Sequence, residues 1–149
     1  MFTATQRFRV EWAHCDPAGI IFNPNYYIWM DSGTHALLQA AGFDLIGNTH
    51  SDPLFRGCPL VASNMEFEKP LYFGDVTRLT TRVQKFGNTS FVVAHEFSKG
   101  DDPRPVASGR EVRVWGYSDP ERPEKLVARK VPDEVREMLS VEKTVDVTV

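Results

Sequence analysis

The sequence predicts an α+β domain in which an antiparallel sheet of about five strands curls around one long helix. Three observations predict it. Between residues 26 and 41, large apolar side chains (Tyr26, Trp29, Met30, Leu37) and small ones (Gly33, Ala36, Ala40, Ala41) recur at three- and four-residue steps. They cover most of the circumference, the pattern of a buried helix. After residue 59 come four segments of strand character, LVASNMEF, DVTRLTTRVQKF, SFVVAHEFS and VASGREVRVWGY, rich in alternation and β-branched residues. Turn chemistry joins them, and Gly87-Asn88 is a hairpin signal. A sheet built from consecutive hairpins has a free face, and a helix apolar nearly all round needs cover. Curling one around the other satisfies both.

In chain order, residues 7–12 (RFRVEW) alternate and read as the first strand, ended by a turn at residues 15–19. Asn23-Pro24-Asn25 then reads as a helix start, with Pro24 suited to the first helical position and either asparagine an acceptable cap. Gly33 and the alanines predict close approach of the helix to a flat surface, the inside of the sheet. Gly42 supplies the left-handed stop. Residues 43–58 mix Gly, Asn, His, Ser, Asp and Pro and read as a loop. The four strands occupy residues 60–67, 75–86, 90–98 and 106–117. Residues 119–149 read as a Pro-rich loop, a short helix at 132–139 and a polar tail. The whole is a single domain over residues 1–149.

Composition narrows the function. The 149 residues are 42% apolar and 25% charged, with a formal net charge of −3. No basic footprint points to nucleic acid as a partner. No apolar stretch has the length of a membrane span or of a signal sequence, so no membrane partner is expected and the cytoplasm is the expected location. The two cysteines, Cys15 and Cys58, have no CxxC neighbour, and neither a disulfide framework nor a structural zinc site is expected.

The chemistry-bearing stretch is HCDPAGIIFNPNYYIWMDSG, residues 14–33. A carboxylate, Asp16, sits in a Pro/Gly turn just before a buried helix. The bland reading is an Asx turn followed by a helix cap. The sharper reading is that Asp16 and the helix start face one small space. A helix start offers free backbone N–H groups and the positive end of the helix dipole, which suits a developing oxyanion at roughly 3 kcal/mol per donor. Where the leaving group needs no protonation, a lone carboxylate beside such donors suffices for acyl transfer. Asp16 then acts either as nucleophile, forming an acyl anhydride, or as general base toward water.

The run HCDPAGIIFNPNYYIWMDSGTHALLQAAG, followed by NMEFEKPLYFGD, resembles the hotdog-fold thioesterases of the 4-hydroxybenzoyl-CoA thioesterase type. It is also similar to the related short-chain acyl-CoA thioesterases associated with the Tol-Pal envelope system. The likeness covers residues 7–117. It implies a hotdog fold, a homodimer or homotetramer, and hydrolysis of an aromatic or short-chain acyl-CoA with no metal or other cofactor. The family's catalytic aspartate falls on Asp16. Its oxyanion donor is the backbone N–H at Asn23, where the family example carries tyrosine, and a backbone donor survives that change. The aspartate beside the substrate's ring hydroxyl falls on Asp31. The family's arginine-rich turn before Ser-Phe is replaced here by KFGNTS. Lys85 is its one cation, with Asn88, Thr89 and Ser90 as hydrogen-bonding groups and Lys69, Arg104 and Arg129 as possible substitutes elsewhere. That departure keeps open a thioesterase acting on acyl carrier protein, and a module that binds acyl thioesters without cleaving them.

Other residues carry paired readings. Asp31 and His35 share a helix face, as a local ion pair or as the polar end of an acyl pocket. His14 and Cys15 point to opposite faces of an extended segment and do not form a catalytic pair. Glu66 and Glu68 read as a solvated face. Tyr26 and the aromatics Phe22, Tyr27, Trp29, Phe67, Phe73 and Phe91 divide between core and pocket. Exposed sheet edges predict pairing with a second copy into a continuous sheet.

Overall fold

The computed structural model describes residues 1–148; Val149, the last of the expected tail, lies outside the described residues. The elements run β1 (Phe2–Arg9), a 3-10 turn (Trp12–His14), α1 (Pro24–Ala41), α2 (Leu45–Ser51), β2 (Leu60–Phe67), β3 (Val76–Phe86), β4 (Ser90–Lys99) and β5 (Pro105–Val114). Then come β6 (Gly116–Ser118), β7 (Leu126–Ala128), α3 (Asp133–Ser140) and β8 (Lys143–Asp146). The sheet has six strands in the order β2-β5-β4-β3-β1-β8.

The long helix spans residues 24–41 as read from the sequence, with Pro24 in its first turn and Gly42 at φ 110° ending it. Gly33 meets the sheet: a Cβ built there lies 2.8 Å from Thr81 Oγ1 and 3.0 Å from Leu79 Cδ2. Three expectations change. The first strand lies earlier, at Phe2–Arg9, because it pairs along its length with β3. The expected loop at 43–58 contains α2, held by Asp44, whose carboxylate accepts the Gly47 N–H at 2.9 Å. The tail forms β8, which runs parallel to β1, with Phe2 opposite Lys143. Nor is the sheet a run of consecutive hairpins. β3, β4 and β5 form the meander, while β2 crosses to pair with β5 and becomes an edge.

Odd-numbered residues of β3, β4 and β5 face α1 and fill two apolar clusters. One surrounds the start of the helix (Tyr26, Trp29, Met30, Leu71, Leu79, Phe97) and the other its end (Leu37, Leu38, Val83, Phe91, Val93, Trp115). Thr34, Thr81, His95, Glu111 and Arg113, each at most 2% exposed, form a polar layer bridging helix and sheet. Side chains of β2 are largely uncovered: Leu60 is 50%, Val61 62% and Phe67 48% exposed. Among the described residues no helix is long and apolar enough to cross a membrane.

Candidate active site

Residues 15–21 double back after the 3-10 turn. Cys15 and Ile21 form a bridge, the Asp16 N–H donates to Ile20 O at 3.0 Å, and the Gly19 N–H donates to Asp16 O at 2.9 Å. Gly19 has φ +79°, which the reversal requires. Asp16 Oδ1 accepts the Ala18 N–H at 2.8 Å, so the Asx turn expected on the bland reading is present. The half-buried carboxylate keeps its second oxygen free of hydrogen bonds among the described residues.

The turn is tied to the helix start. His14 O accepts both the Phe22 N–H at 2.9 Å and the Asn25 side-chain amide at 2.8 Å. Neither Asn23 nor Asn25 caps the helix with its side chain. Pro24 has no N–H. The Asn25 N–H donates to Phe22 O at 3.0 Å and the Tyr26 N–H to Asn23 O at 3.1 Å. Among the described residues the Asn23 N–H has no acceptor. It is the free donor of the helix start.

Asn23 and Tyr26 line a cleft of about 340 Å³ together with Ile20 and Ile21 from the Asp16 turn and Phe67, Glu68, Lys69, Pro70 and Leu71 across from them. Tyr26 packs against Phe67 and Phe97 at 5.2 and 5.1 Å between ring centres. Burial, opposed by a backbone hydrogen bond at Leu71, pushes the Tyr26 phenol up to about 12, so it stays neutral. Asp16 itself stands beside the cleft wall and does not line it. The geometry therefore brings Asn23 and Tyr26 to one cleft, with Ile20 and Ile21 linking it to the Asp16 turn and a single lining cation, Lys69. The other cations named from the sequence are engaged elsewhere: Arg104 is held by Asp102 and Arg129 lies over the Tyr117 ring at 5.5 Å.

The remaining candidates lie elsewhere in the protomer. Lys85, Asn88, Thr89 and Ser90 belong to the β3–β4 hairpin, at the opposite end of β3 from the Asp16 turn. Asn88 O and Thr89 O are taken by the Val131 and Trp115 N–H groups. His14 uses Nδ1 to accept the Glu11 N–H at 2.9 Å and lays its ring edge on Trp29; it makes no hydrogen bond to Asp16 among the described residues. Cys15 packs beside the first apolar cluster. Glu66 and Glu68 are exposed. Of the aromatics, Trp29 and Phe91 are core, while Phe22, Phe73 and Tyr27 are exposed.

Asp31 heads a chain of side chains that the sequence reading missed. Arg113 donates to Asp31 Oδ1 at 2.6 Å, to Glu111 Oε2 at 2.6 Å and to Cys58 O at 3.0 Å. Glu111 Oε1 meets His95 Nε2 at 3.0 Å and the Thr34 hydroxyl at 2.5 Å, and His95 Nδ1 meets Thr81 Oγ1 at 3.0 Å. Burial by itself raises the Glu111 carboxyl, but hydrogen bonds from His95, Arg113 and Thr34 outweigh it and hold it at about 2. Burial likewise opposes the Arg113 charge, and Glu111 with Asp31 more than restore it. Asp31 is 53% exposed at its side chain and has His35 at 4.0 Å from its other oxygen. The local pair expected with His35 is therefore secondary to Arg113.

A family model described as the thioesterase superfamily matches residues 18–115. The 4-hydroxybenzoyl-CoA thioesterase of Pseudomonas sp. (strain CBS-3) is 32% identical over 139 residues, covering 91% of this chain and 96% of that protein. Among solved structures, an aspartate-to-asparagine mutant of 4-hydroxybenzoyl-CoA thioesterase complexed with 4-hydroxybenzoyl-CoA superposes with a TM-score of 0.83. It shares 28% identity and covers 93% of this chain and 99% of its own. A gentisyl-coenzyme A thioesterase gives 0.74 at 33% identity, covering 92% and 99%.

Proposed function

The chain belongs to the thioesterase superfamily, and we propose that this hotdog-fold thioester hydrolase cleaves an aromatic acyl-CoA, with Asp16 and the Asn23 N–H as its working groups. The observation that carries the reading is the unclaimed Asn23 N–H at a cleft that the segment returning from Asp16 also lines. The carbonyl oxygen accepts from that N–H, and charge that builds on it meets the positive helix end. Either the Asp16 carboxylate attacks the carbonyl carbon and the thiolate leaves, giving an acyl anhydride that water then hydrolyses to free the acid and Asp16, or Asp16 takes a proton from a water that adds to the carbon before the thiolate leaves. The aromatic acyl group is supported by the relatives, named for 4-hydroxybenzoyl and gentisyl thioesters, and by Tyr26 and Phe67 in the cleft. Two unpaired cysteines fit a reducing, cytoplasmic setting.

The site is completed by a second copy. The uncovered β2 edge supports pairing about a two-fold axis, which makes the two β2 strands antiparallel. The Leu60 end of one copy then lies at the Phe67 end of the other. Asp31 and the β3–β4 hairpin share the Leu60 end, because Arg113 pairs with both Leu60 and Phe91. Such a dimer carries Asp31, Lys85, Asn88, Thr89 and Ser90 of the partner subunit toward the cleft, the first for the acyl end and the others for the CoA.

The test is steady-state thiol release from a panel of acyl-CoAs and acyl carrier protein thioesters. Asp16→Asn is expected to lower kcat on the preferred thioester by roughly 10²–10⁴-fold. Thiol release untouched by the substitution removes the mechanism. Turnover confined to carrier-protein thioesters moves the substrate class, and binding without turnover makes the domain a sensor.

A further inference from the structure

We propose that Arg113, braced by Glu111 and His95, is a positioning residue that fixes the Asp31 carboxylate as an acceptor and thereby selects acyl groups bearing a hydroxyl remote from the thioester. The inference rests on the reading above, in which Asp31 meets the acyl end.

Burying a carboxylate, a guanidinium and an imidazole between two apolar clusters is costly, and an apolar layer of equal volume is often no less stable. The arrangement has one outlet. Glu111, Arg113, His95, Thr34 and Thr81 are each at most 2% exposed, and they bond to one another or to buried backbone, apart from the one Arg113 nitrogen that reaches Asp31. Every other part of the Arg113 fork is occupied: Nε and Nη2 by Glu111 and Nη1 by Cys58 O. The guanidinium therefore presents one fixed donor, and its bond to Oδ1 favours the Asp31 rotamer that meets it. Glu111 is itself pinned, since its Oε1 serves His95 and Thr34 from two different elements.

The carboxylate that results differs from a free surface aspartate. Oδ1 is consumed at 2.6 Å by a buried cation, and Oδ2 faces outward with only His35 at 4.0 Å. One fixed acceptor atom remains. It suits a neutral O–H donor on a rigid ring and gives nothing to an unsubstituted ring, whose binding leaves the carboxylate desolvated and unpaired. A rotating carboxylate would adapt to either.

The experiment compares 4-hydroxybenzoyl-CoA with benzoyl-CoA in wild type, Asp31→Asn, Arg113→Lys and the double variant. The ratio of kcat/KM values is measured alongside binding of the matching non-hydrolysable CoA thioethers. Arg113→Lys keeps the charge but loses the fork, and an intact unfolding transition establishes that each variant folds. The expected result is a ratio lowered at least ten-fold by Asp31→Asn and at least five-fold by Arg113→Lys, with no further fall in the double variant. An unchanged ratio in folded Arg113→Lys overturns the inference, as does a double variant in which the two losses multiply. Equal binding of the two analogues by wild type overturns it as well. Loss of thiol release in Asp16→Asn stands or falls separately, so the two readings fail distinguishably.

Discussion

Replacing Glu111 by Gln removes one charge from the polar layer while keeping its shape and one acceptor. The carboxyl sits at about 2 in the folded chain against an ordinary 4.5, which corresponds to about 3 kcal/mol of folding stability at neutral pH. The sign follows from the direction. A folded value below the unfolded one means that stability is fully present above ~4.5 and is lost as pH falls through ~2. At pH 3 about 1 kcal/mol of it remains. Glu111→Gln is therefore expected to destabilise by about 3 kcal/mol at pH 7, leaving Arg113 short of a buried counter-charge. The gap to wild type should shrink by about 2 kcal/mol at pH 3. Urea unfolding of both proteins at pH 7, 5 and 3, at one fixed protein concentration, measures it. A gap that stays constant across those pH values refutes the claim that the folded state holds Glu111 ionised.

Two further substitutions probe the scaffold. Gly33→Ala drives a methyl into Thr81 Oγ1 and Leu79 Cδ2; after the ~1 kcal/mol helix-propensity gain, overpacking should still lower Tm by about 3–6 °C, and a raised Tm in thermal unfolding contradicts the close approach. Val61→Lys places a charge on the uncovered β2 edge. Sedimentation should show wild type as the proposed dimer and Val61→Lys as single chains, with thiol release lost in step, and an equal mass for the two rules out β2 as the joining edge.

Much of the architecture was legible because it is written in local patterns. Pro24 and Gly42 bracket α1, the β2 segment is read to the residue, and Gly33 announces the helix–sheet contact. What escaped depends on distant partners. The segment that becomes β8 looks like a polar tail until β1 offers it an edge, and α2, built from Gly47, Asn48, Thr49 and His50 among others, has weak propensity and relies on the Asp44 cap. The polar layer escaped for a subtler reason. In REVRV the even positions carry two valines and the odd positions only Glu111 and Arg113, so alternation favours turning Val112 and Val114 inward; the structure turns Glu111 and Arg113 inward instead. At the site, the DPAG turn and the Asn23 amide were findable from their motif. That the β3–β4 hairpin lies at the far end of the sheet was not, because it follows from the long-range antiparallel pairing of β1 with β3, which sets Arg9 opposite Val76.

The C-terminal segment bears on the proposed substrate site indirectly. Arg136 of α3 donates to Gly87 O at 2.5 Å, to Asn88 O at 3.0 Å and to Val131 O at 3.2 Å, with its guanidinium 5.2 Å from the Phe86 ring centre. The Val131 N–H adds a further bond to Asn88 O. α3 thus works as a rigid mount for the bend between β3 and β4. Arg136→Ala would free that bend to fluctuate, and grip on whatever the bend holds would weaken with no catalytic group removed.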